Sequence, residues 1–289
     1  MPTKIEKDAV TGTETTGHEW DGIKELNTPL PKWWLYSYYA TILWSIAYFV
    51  LYPAWPSLSG HTPGVLGWTM RGEIAAEMEA AKAAQGPMLR RIAASSLDDI
   101  RKSTDLQAYA MAGGRSAFGV QCAPCHGAGG AGAKGFPNLV DDSWIWGGTL
   151  DDIYTTIQFG IRNANDKSRL SQMPRFGVDG MLTAAQIDDV AEYVLSLSRR
   201  SRDAGAAKRG EAVYAENCVA CHQEGGKGNP EMGAPNLAAN IWTFGGDKAT
   251  IVESVRNARA GSMPAWIDRL DDATIKMLAV YVHALGGGK

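Results

Sequence analysis

This sequence has no excess of basic residues. Its 28 Lys and Arg residues face 31 Asp and Glu residues, which leaves a net charge of −3. A protein that binds nucleic acid, or that sits on anionic lipid through a polybasic patch, needs a concentrated positive field. The composition therefore argues against both, and we expect no nucleic acid as a partner.

Patterns typical of catalysis are also missing. The carboxylates show no spacing that suggests acid–base chemistry, and no phosphate-binding glycine loop precedes a helix, so we predict no catalytic residue. Cysteine is scarce, with four in 289 residues. All four lie in two short motifs, which leaves none for a disulfide framework. The length indicates about two domains.

The two cysteine pairs share the pattern Cys-x-x-Cys-His, which is typical of covalent c-type haem attachment. Both thiols can add to haem vinyl groups, and the histidine then binds the iron. The sequence therefore predicts two covalently attached haem c groups. The residues that hold them are Cys122, Cys125 and His126 in the first motif, and Cys218, Cys221 and His222 in the second.

A Met-Pro pair follows each motif, at Met173 and at Met263. A thioether opposite the histidine completes a six-coordinate iron and raises its reduction potential. We therefore predict Met173 and Met263 as the distal ligands, in preference to Met181 and Met232, which no proline follows. By default each methionine serves the haem of its own repeat. An exchange of the two methionine loops between the repeats stays open.

Paired cysteines also occur in redox dithiols and in zinc sites. A thioredoxin-like dithiol does not need the adjacent histidine and follows a strand, whereas each motif here follows a helix-like stretch. One zinc site made of all four cysteines would leave both histidines and both Met-Pro pairs unexplained. The motifs therefore favour haem.

The chain repeats itself from about residue 106. Each copy ends in a stretch with apolar residues at helical spacing, so we predict two small helical domains, residues 106–200 and 205–287. The recurring segments are Gly114-x-x-x-Phe118 with Gly210-x-x-x-Tyr214, Pro137-Asn138-Leu139 with Pro235-Asn236-Leu237, Trp144-Ile-Trp146 with Trp242-Thr-Phe244, and Arg162-Asn163-Ala164 with Arg256-Asn257-Ala258. The aromatic residues are expected to wall the haem clefts. Arg162 and Arg256 are candidates to bind haem propionates, or are solvated surface residues.

An uncharged run, WWLYSYYATILWSIAYFVLY, covers residues 33–52. Twenty such residues with aromatics at both ends are typical of a transmembrane helix, although a buried core helix has a similar pattern. Four lysines precede the run and no Lys or Arg follows it before Arg71. The positive-inside rule therefore predicts a single-pass anchor with a cytoplasmic N-terminus. Haem c is attached outside the cytoplasm, which independently predicts periplasmic haem domains.

Two other segments complete the predicted organisation. Residues 1–32 are predicted to be a flexible, polar cytoplasmic segment. Residues 53–105 are predicted to be a periplasmic linker, in which two helices are broken at Gly86-Pro87.

These residues carry a family resemblance. Each repeat resembles a class I cytochrome c domain, through its haem motif, its Pro-Asn-Leu segment and its Met-Pro pair. The whole chain resembles the dihaem subunit III of the cbb3-type cytochrome c oxidase, most specifically in the segment HEWDGIKELNTPLPKWW, residues 18–34, that leads into the anchor. The resemblance implies an all-α fold, with one N-terminal transmembrane helix followed by two tandem class I cytochrome c domains. It also implies that the carbonyls of Pro137 and Pro235 orient the two histidines.

The resemblance further implies an electron-transfer role in a bacterial inner membrane. Such a subunit accepts electrons from a donor cytochrome c or a cytochrome bc complex. It passes them to the monohaem and catalytic subunits of the oxidase, where oxygen is reduced and protons are pumped. Two alternatives remain: a membrane-anchored dihaem shuttle or dehydrogenase subunit, and a dihaem peroxidase, which needs an iron with an open distal position.

Overall fold

The computed structural model describes residues 4–286, so residues 1–3 of the predicted N-terminal segment and residue 287 of the second predicted domain lie outside it. The chain forms two compact units, Met1–Ala83 and Ala84–Lys289. Most of the described secondary structure is helical, as predicted. Two short hairpins in the first unit were not predicted.

The first unit begins with an antiparallel hairpin of β1 (Thr15–Trp20) and β2 (Ile23–Leu26). The turn residues Asp21 and Gly22 both have positive φ, which matches the twist of a tight hairpin. The prediction of a flexible segment is therefore wrong here, because the Asp-Gly turn signal was overlooked. A second small hairpin joins β3 (Pro56–Ser57) to β4 (Gly60–His61).

Helix α1 (Lys32–Leu51) lies between the two hairpins and has no buried residue. Its 20 residues have a mean hydropathy of 1.2 over the most apolar window. By length and composition it is the only helix in the described residues that can cross a membrane. Lipid, rather than a protein core, would cover this exposed apolar surface.

Helix α2 (Met70–Ala94) runs through Pro87 without a break. The predicted break at Gly86-Pro87 is therefore wrong. A proline removes one helical hydrogen bond, and the flanking Ala, Glu and Arg residues are strong helix formers that sustain the helix on both sides. The helix ends before Ser96, whose side chain caps α3 (Leu97–Lys102) by accepting from Asp99 N.

The second unit holds eight further helices. They are α4 (Thr104–Gln121), α5 (Ala123–His126), α6 (Leu150–Phe159), α7 (Ala184–Leu197), α8 (Ala204–Asn217), α9 (Val219–His222), α10 (Lys248–Asn257) and α11 (Asp272–Leu285). Side-chain caps start four of them: Thr149, Thr183, Asp247 and Asp271 each accept a hydrogen bond from a backbone N–H in the first turn.

The final helices of the two repeats are exchanged. Helix α11 from the second repeat packs on α4 and α6 of the first, in a core that includes Phe118, Ile153 and Leu278. Helix α7 from the first repeat packs on α8 and α10 of the second, with Val190 and Ile251 in their core. The expectation that each copy closes on its own final helix is not met, because the two helices match in length and apolar spacing and fit either partner.

Two glycines allow the helices of each core to cross closely. A Cβ at Gly114 on α4 would lie 2.3 Å from the carbonyl oxygen of Met277 on α11. A Cβ at Gly210 on α8 would lie 2.1 Å from the carbonyl oxygen of Asp189 on α7. The repeated Gly-x-x-x-aromatic pattern therefore marks the same crossing in both cores, made each time with a helix from the other repeat.

Candidate haem-binding site

Both histidines are held by the same local structure. Helix α4 ends at Cys122, and the short helix α5 places His126 on the turn that follows. Nδ1 of His126 donates to the carbonyl oxygen of Pro137 at 3.1 Å. In the second motif, Nδ1 of His222 donates to Pro235 O at 3.0 Å. The expectation for the two prolines is confirmed. This bond leaves Nε2 of each ring as the nitrogen that can bind a metal.

The loops after the motifs repeat this geometry in their backbone. Gly132 N donates to His126 O at 2.8 Å, and Gly228 N donates to His222 O at 2.9 Å. Each loop therefore folds back onto its own histidine and brings the proline carbonyl within reach of the ring. Burial lowers the pKa of both imidazoles, opposed by the proline hydrogen bond, and this favours the neutral ring, which is the form that binds a metal.

The four cysteines form no disulfide, and the first of each pair is unsuited to dithiol redox chemistry. Burial, with a smaller contribution from the neighbouring cysteine, raises the pKa of Cys122 and of Cys218 to about 11. Reactive dithiols need a lowered pKa. Within residues 4–286 no three His, Cys, Asp or Glu side chains are grouped to hold a metal ion. The geometry therefore supports neither the dithiol nor the zinc alternative.

A single cavity of about 730 Å³ contains both motifs. Its wall is largely apolar and includes both histidines and both predicted methionines. The aromatic residues predicted to wall the clefts, Trp144, Trp146, Trp242 and Phe244, all line it. Its volume is in the upper range of ligand cavities. An apolar, aromatic cavity with thiols beside two Nε2 atoms fits the chemistry of haem c.

Met263 lies against the first core. Its N–H donates to Ile161 O at 2.9 Å, and Ile161 N donates to Met263 O at 3.0 Å. Asn163 Nδ2 also donates to Met263 O at 2.7 Å. The Met263 loop is therefore fixed to the end of α6, in the repeat that contains His126.

Met173 lies against the second core. It packs beside Phe176 and Ile187, together with Val213 of α8 and Val255 of α10. These two helices belong to the repeat that contains His222. The loop that carries each methionine, like the final helix after it, thus packs on the core of the other repeat.

Arg162 lines the cavity, but its donors are used by the methionine loops. Its Nε donates to Gly261 O at 2.7 Å, and one terminal nitrogen donates to Ser171 O at 2.8 Å. Each acceptor is two residues before a predicted ligand methionine, so Arg162 ties the two loops together. Burial lowers the pKa of this guanidinium.

The repeat pairs Arg162 with Arg256, but the two residues do not lie at corresponding places in the structure. Arg256 is exposed in the last turn of α10, whereas Arg162 lies beyond Gly160, the residue that ends α6.

No sequence pattern indicated two further buried donors, one of them on a residue that lines the cavity. Trp146 Nε1 and Arg169 Nε are buried and have no hydrogen-bond partner in the described structure. Arg169 stacks on the Trp146 ring, 5.1 Å from its centroid. The two residues are 23 positions apart, so their contact depends on tertiary packing.

Comparison with known proteins agrees with this site. The family model for the cbb3-type cytochrome c oxidase, subunit III, matches residues 110–194 and 205–282. A model for the N-terminal domain of cytochrome oxidase-cbb3, FixP, matches residues 12–59. The chain belongs to the cbb3-type oxidase subunit III family. The predicted family and the two tandem cytochrome domains are confirmed.

Relatives of this subunit III chain match it over nearly its full length. It is 58% identical to the cbb3-type cytochrome c oxidase subunit CcoP of Azospirillum brasilense, covering 98% of this chain and 99% of the relative. It is 54% identical to the subunit FixP of Bradyrhizobium diazoefficiens, covering all of both chains. With the CcoP of Cereibacter sphaeroides it shares 47% identity, over 95% of each.

Proposed function

We propose that this chain is the dihaem electron-transfer subunit of a cbb3-type cytochrome c oxidase. The observation that carries the proposal is the shared cavity, whose wall includes both histidines, with Nδ1 held by a proline carbonyl, all four motif cysteines and both methionines. The full-length similarity to proteins named as subunits of this oxidase supports the choice of complex.

The haem groups are held covalently. Each motif thiol would add across one vinyl group, with sulfur bonding to one vinyl carbon and the thiol proton going to the other. Cys122 and Cys125 hold the first group, and Cys218 and Cys221 the second. A haem iron cycles between ferric and ferrous states, and this supplies the one-electron chemistry. The protein contributes ligands, an apolar cavity and the placement of two centres in one space.

The methionine pairing is exchanged between the repeats. Met263, fixed to the end of α6, would bind the same iron as His126. Met173, packed on α8 and α10, would bind the same iron as His222. The backbone bonds of Met263 to Ile161 and the packing of Met173 support this assignment. An iron held by both a histidine and a methionine would be suited to electron transfer. It would be unsuited to peroxidase chemistry, which needs an open position for the substrate.

The chain is anchored by α1 in the bacterial inner membrane, with a cytoplasmic N-terminus and periplasmic haem cores. The lysines before α1 support this orientation. Electrons arrive from a donor cytochrome c or a cytochrome bc complex and leave to the monohaem and catalytic subunits.

Purification from native membranes through a tag on this chain tests the proposal. The purified material is reduced and mixed with oxygen, and haem c absorbance is followed with and without cyanide. We expect fast, cyanide-sensitive oxidation, with b-type haem and copper co-purifying. Slow oxidation of a chain that purifies alone with two c haems would favour the shuttle or dehydrogenase alternative.

A further inference from the structure

The loop that carries Met263 is fixed by its backbone. Met263 exchanges two backbone hydrogen bonds with Ile161, at 2.9 and 3.0 Å. Ser262 Oγ donates to Arg162 O at 2.9 Å, and Arg162 returns a bond through Nε to Gly261 O at 2.7 Å. Of these bonds only the last uses the Arg162 side chain, so the others hold this loop to the segment after α6 without it.

The loop that carries Met173 is fixed less firmly. Residues 171–174 make no backbone–backbone hydrogen bond within residues 4–286. The Met173 side chain packs on the second core. The loop backbone is bonded from a side chain instead, because a terminal nitrogen of Arg162 donates to Ser171 O at 2.8 Å. A hydrogen bond from a charged donor is stronger than one between neutral groups, so this contact restrains the loop where its own backbone does not.

Arg162 is itself held in place. Its φ of 46° lies in the left-handed region, which is costly for an arginine and persists only where the surroundings fix it. Its N–H donates to Arg169 O at 2.8 Å, and the bond from Ser262 holds its carbonyl. The planar guanidinium then presents its donors in fixed directions, one toward each methionine loop. Arg162 thus links the well-fixed methionine loop to the less well-fixed one.

We propose that Arg162 is the positioning residue for Met173, so that a residue of the first repeat's α6 loop holds the methionine assigned to the second iron. The inference rests on the proposed haem ligation. It makes the two centres unequal, because without the Arg162 side chain the Met263 loop keeps its backbone bonds and the Met173 loop keeps only side-chain packing. A methionine ligand raises the reduction potential of its iron. Arg162 therefore sustains the potential of the centre that Met173 would serve.

The test is the Arg162→Gln variant in the full chain, purified as a single subunit with its haems. Carbon monoxide binds a ferrous haem only when the distal ligand leaves the iron, so its binding reports how firmly each methionine is held. We expect one haem of the pair to bind carbon monoxide about tenfold more tightly or better, the equivalent of one charge-assisted hydrogen bond. The same haem should lose the long-wavelength absorption band of methionine-ligated ferric iron and titrate at a lower potential.

Double variants identify which haem responds. Added to Met173→Ala, Arg162→Gln should change nothing further, because the ligand that it positions is already absent. Added to Met263→Ala, it should keep its full effect on the other haem. The reverse pattern would show that Arg162 positions Met263, and would overturn the inference.

Arg175→Gln is the matched control. It removes the same charge two residues after Met173, but the Arg175 guanidinium pairs with Asp179 at 2.7 Å from an exposed position, so both haems should behave as in the parent. Arg162→Lys is the second variant. It keeps the charge without the planar pair of donors, should affect the same haem more weakly, and decides the question if Arg162→Gln loses haem.

Unchanged carbon monoxide binding at both haems of a variant with full haem content would overturn this inference alone. An equal increase at both haems would also overturn it, because it would mark a general loosening of the two cores. Absence of covalent haem from the parent chain would instead overturn the proposed function.

Discussion

At the scale of single residues, the site consists of short-range contacts that sequence motifs predict well. Cys122 to His126 lie within five positions, and the Pro137 acceptor is 11 residues away. Each contact is formed by a local loop; the motif predicted the role of the histidine, and the resemblance to class I cytochromes c implied the proline acceptor. The Trp146–Arg169 stack depends instead on how a long loop folds back, and no sequence pattern indicated it.

The Met263→His variant should keep its covalent haem but lower the potential of one centre, because a thioether ligand raises the potential relative to imidazole. The exchanged pairing predicts that this centre is the one attached at Cys122 and Cys125. Titration in a chain whose second motif carries Cys218→Ser and Cys221→Ser isolates that centre.

In the same single-haem chain, Met173→His is the control and should leave the potential unchanged. A shift with Met173→His and none with Met263→His would show that each methionine serves its own repeat.

Glu192 predicts a pH-dependent contribution to stability. Its carboxylate is 4% exposed and accepts hydrogen bonds from Ser201 Oγ at 2.6 Å and Arg202 N at 3.1 Å, and it pairs with Lys248 Nζ at 3.1 Å. These contacts, with the Ser201 bond foremost, lower the pKa of Glu192 to about 2. A lowered pKa in the folded state contributes stability above the unfolded value near 4.5, and this is lost as pH falls towards 2.

Glu192→Gln should therefore reduce the free energy of unfolding by about 1–3 kcal/mol at pH 7, and the difference should shrink at pH 3. Thermal unfolding at both pH values measures it. Asp188→Asn is the control, since Asp188 contacts the same Lys248 Nζ from an exposed position and should cost less than about 1 kcal/mol. An equal loss for Glu192→Gln at both pH values would contradict the assignment.

At the scale of helices, the two crossings depend on glycine. Gly114→Ala places a Cβ against the Met277 carbonyl, and we expect it to destabilise the protein by about 1–3 kcal/mol. Gly119→Ala on the same helix meets no atom within 4 Å and should be neutral, or stabilising by up to about 1 kcal/mol. Thermal unfolding of the two variants compares them. Equal stability would show that α4 and α11 do not cross at Gly114.

The helices themselves were predictable, but their partners were not. Apolar spacing and capping residues such as Thr183 and Asp271 are properties of one segment, so α7 and α11 appear where the repeat predicted them. Packing partners depend on contacts between distant segments. Because α7 and α11 present similar apolar faces, the sequence is equally compatible with each repeat packing on its own final helix and with the exchange. The short link from α7 to α8 favours contact between these two helices.

At the scale of the whole molecule, the repeats and the packed cores do not coincide. The second core is built from one continuous stretch, from Met173 to Ala258, while the first is completed by the end of the chain. A chain ending at residue 201 keeps the first repeat but loses α11. We expect it to lack a stable, Met-ligated haem at His126.

A chain ending at residue 260 is the counterpart and keeps every helix of the second core. We expect it to retain a protease-resistant haem at His222. Haem staining of proteolytic fragments and absorbance spectra distinguish the two chains. A resistant, six-coordinate haem in the chain ending at residue 201 would show that the first repeat folds by itself.

The exchange of α7 and α11 also reverses the order of assembly during export. With the proposed cytoplasmic N-terminus, the first haem motif would cross the membrane well before the second. The second core would have all its helices once residue 258 has crossed, but the first would still wait for residues 272–285. The motif that emerges first would therefore be enclosed last, and until α11 has crossed, α4 and α6 would expose the apolar face that α11 covers. Haem attachment at Cys122 and Cys125 would thus meet an open, unfinished site for longer than attachment at Cys218 and Cys221.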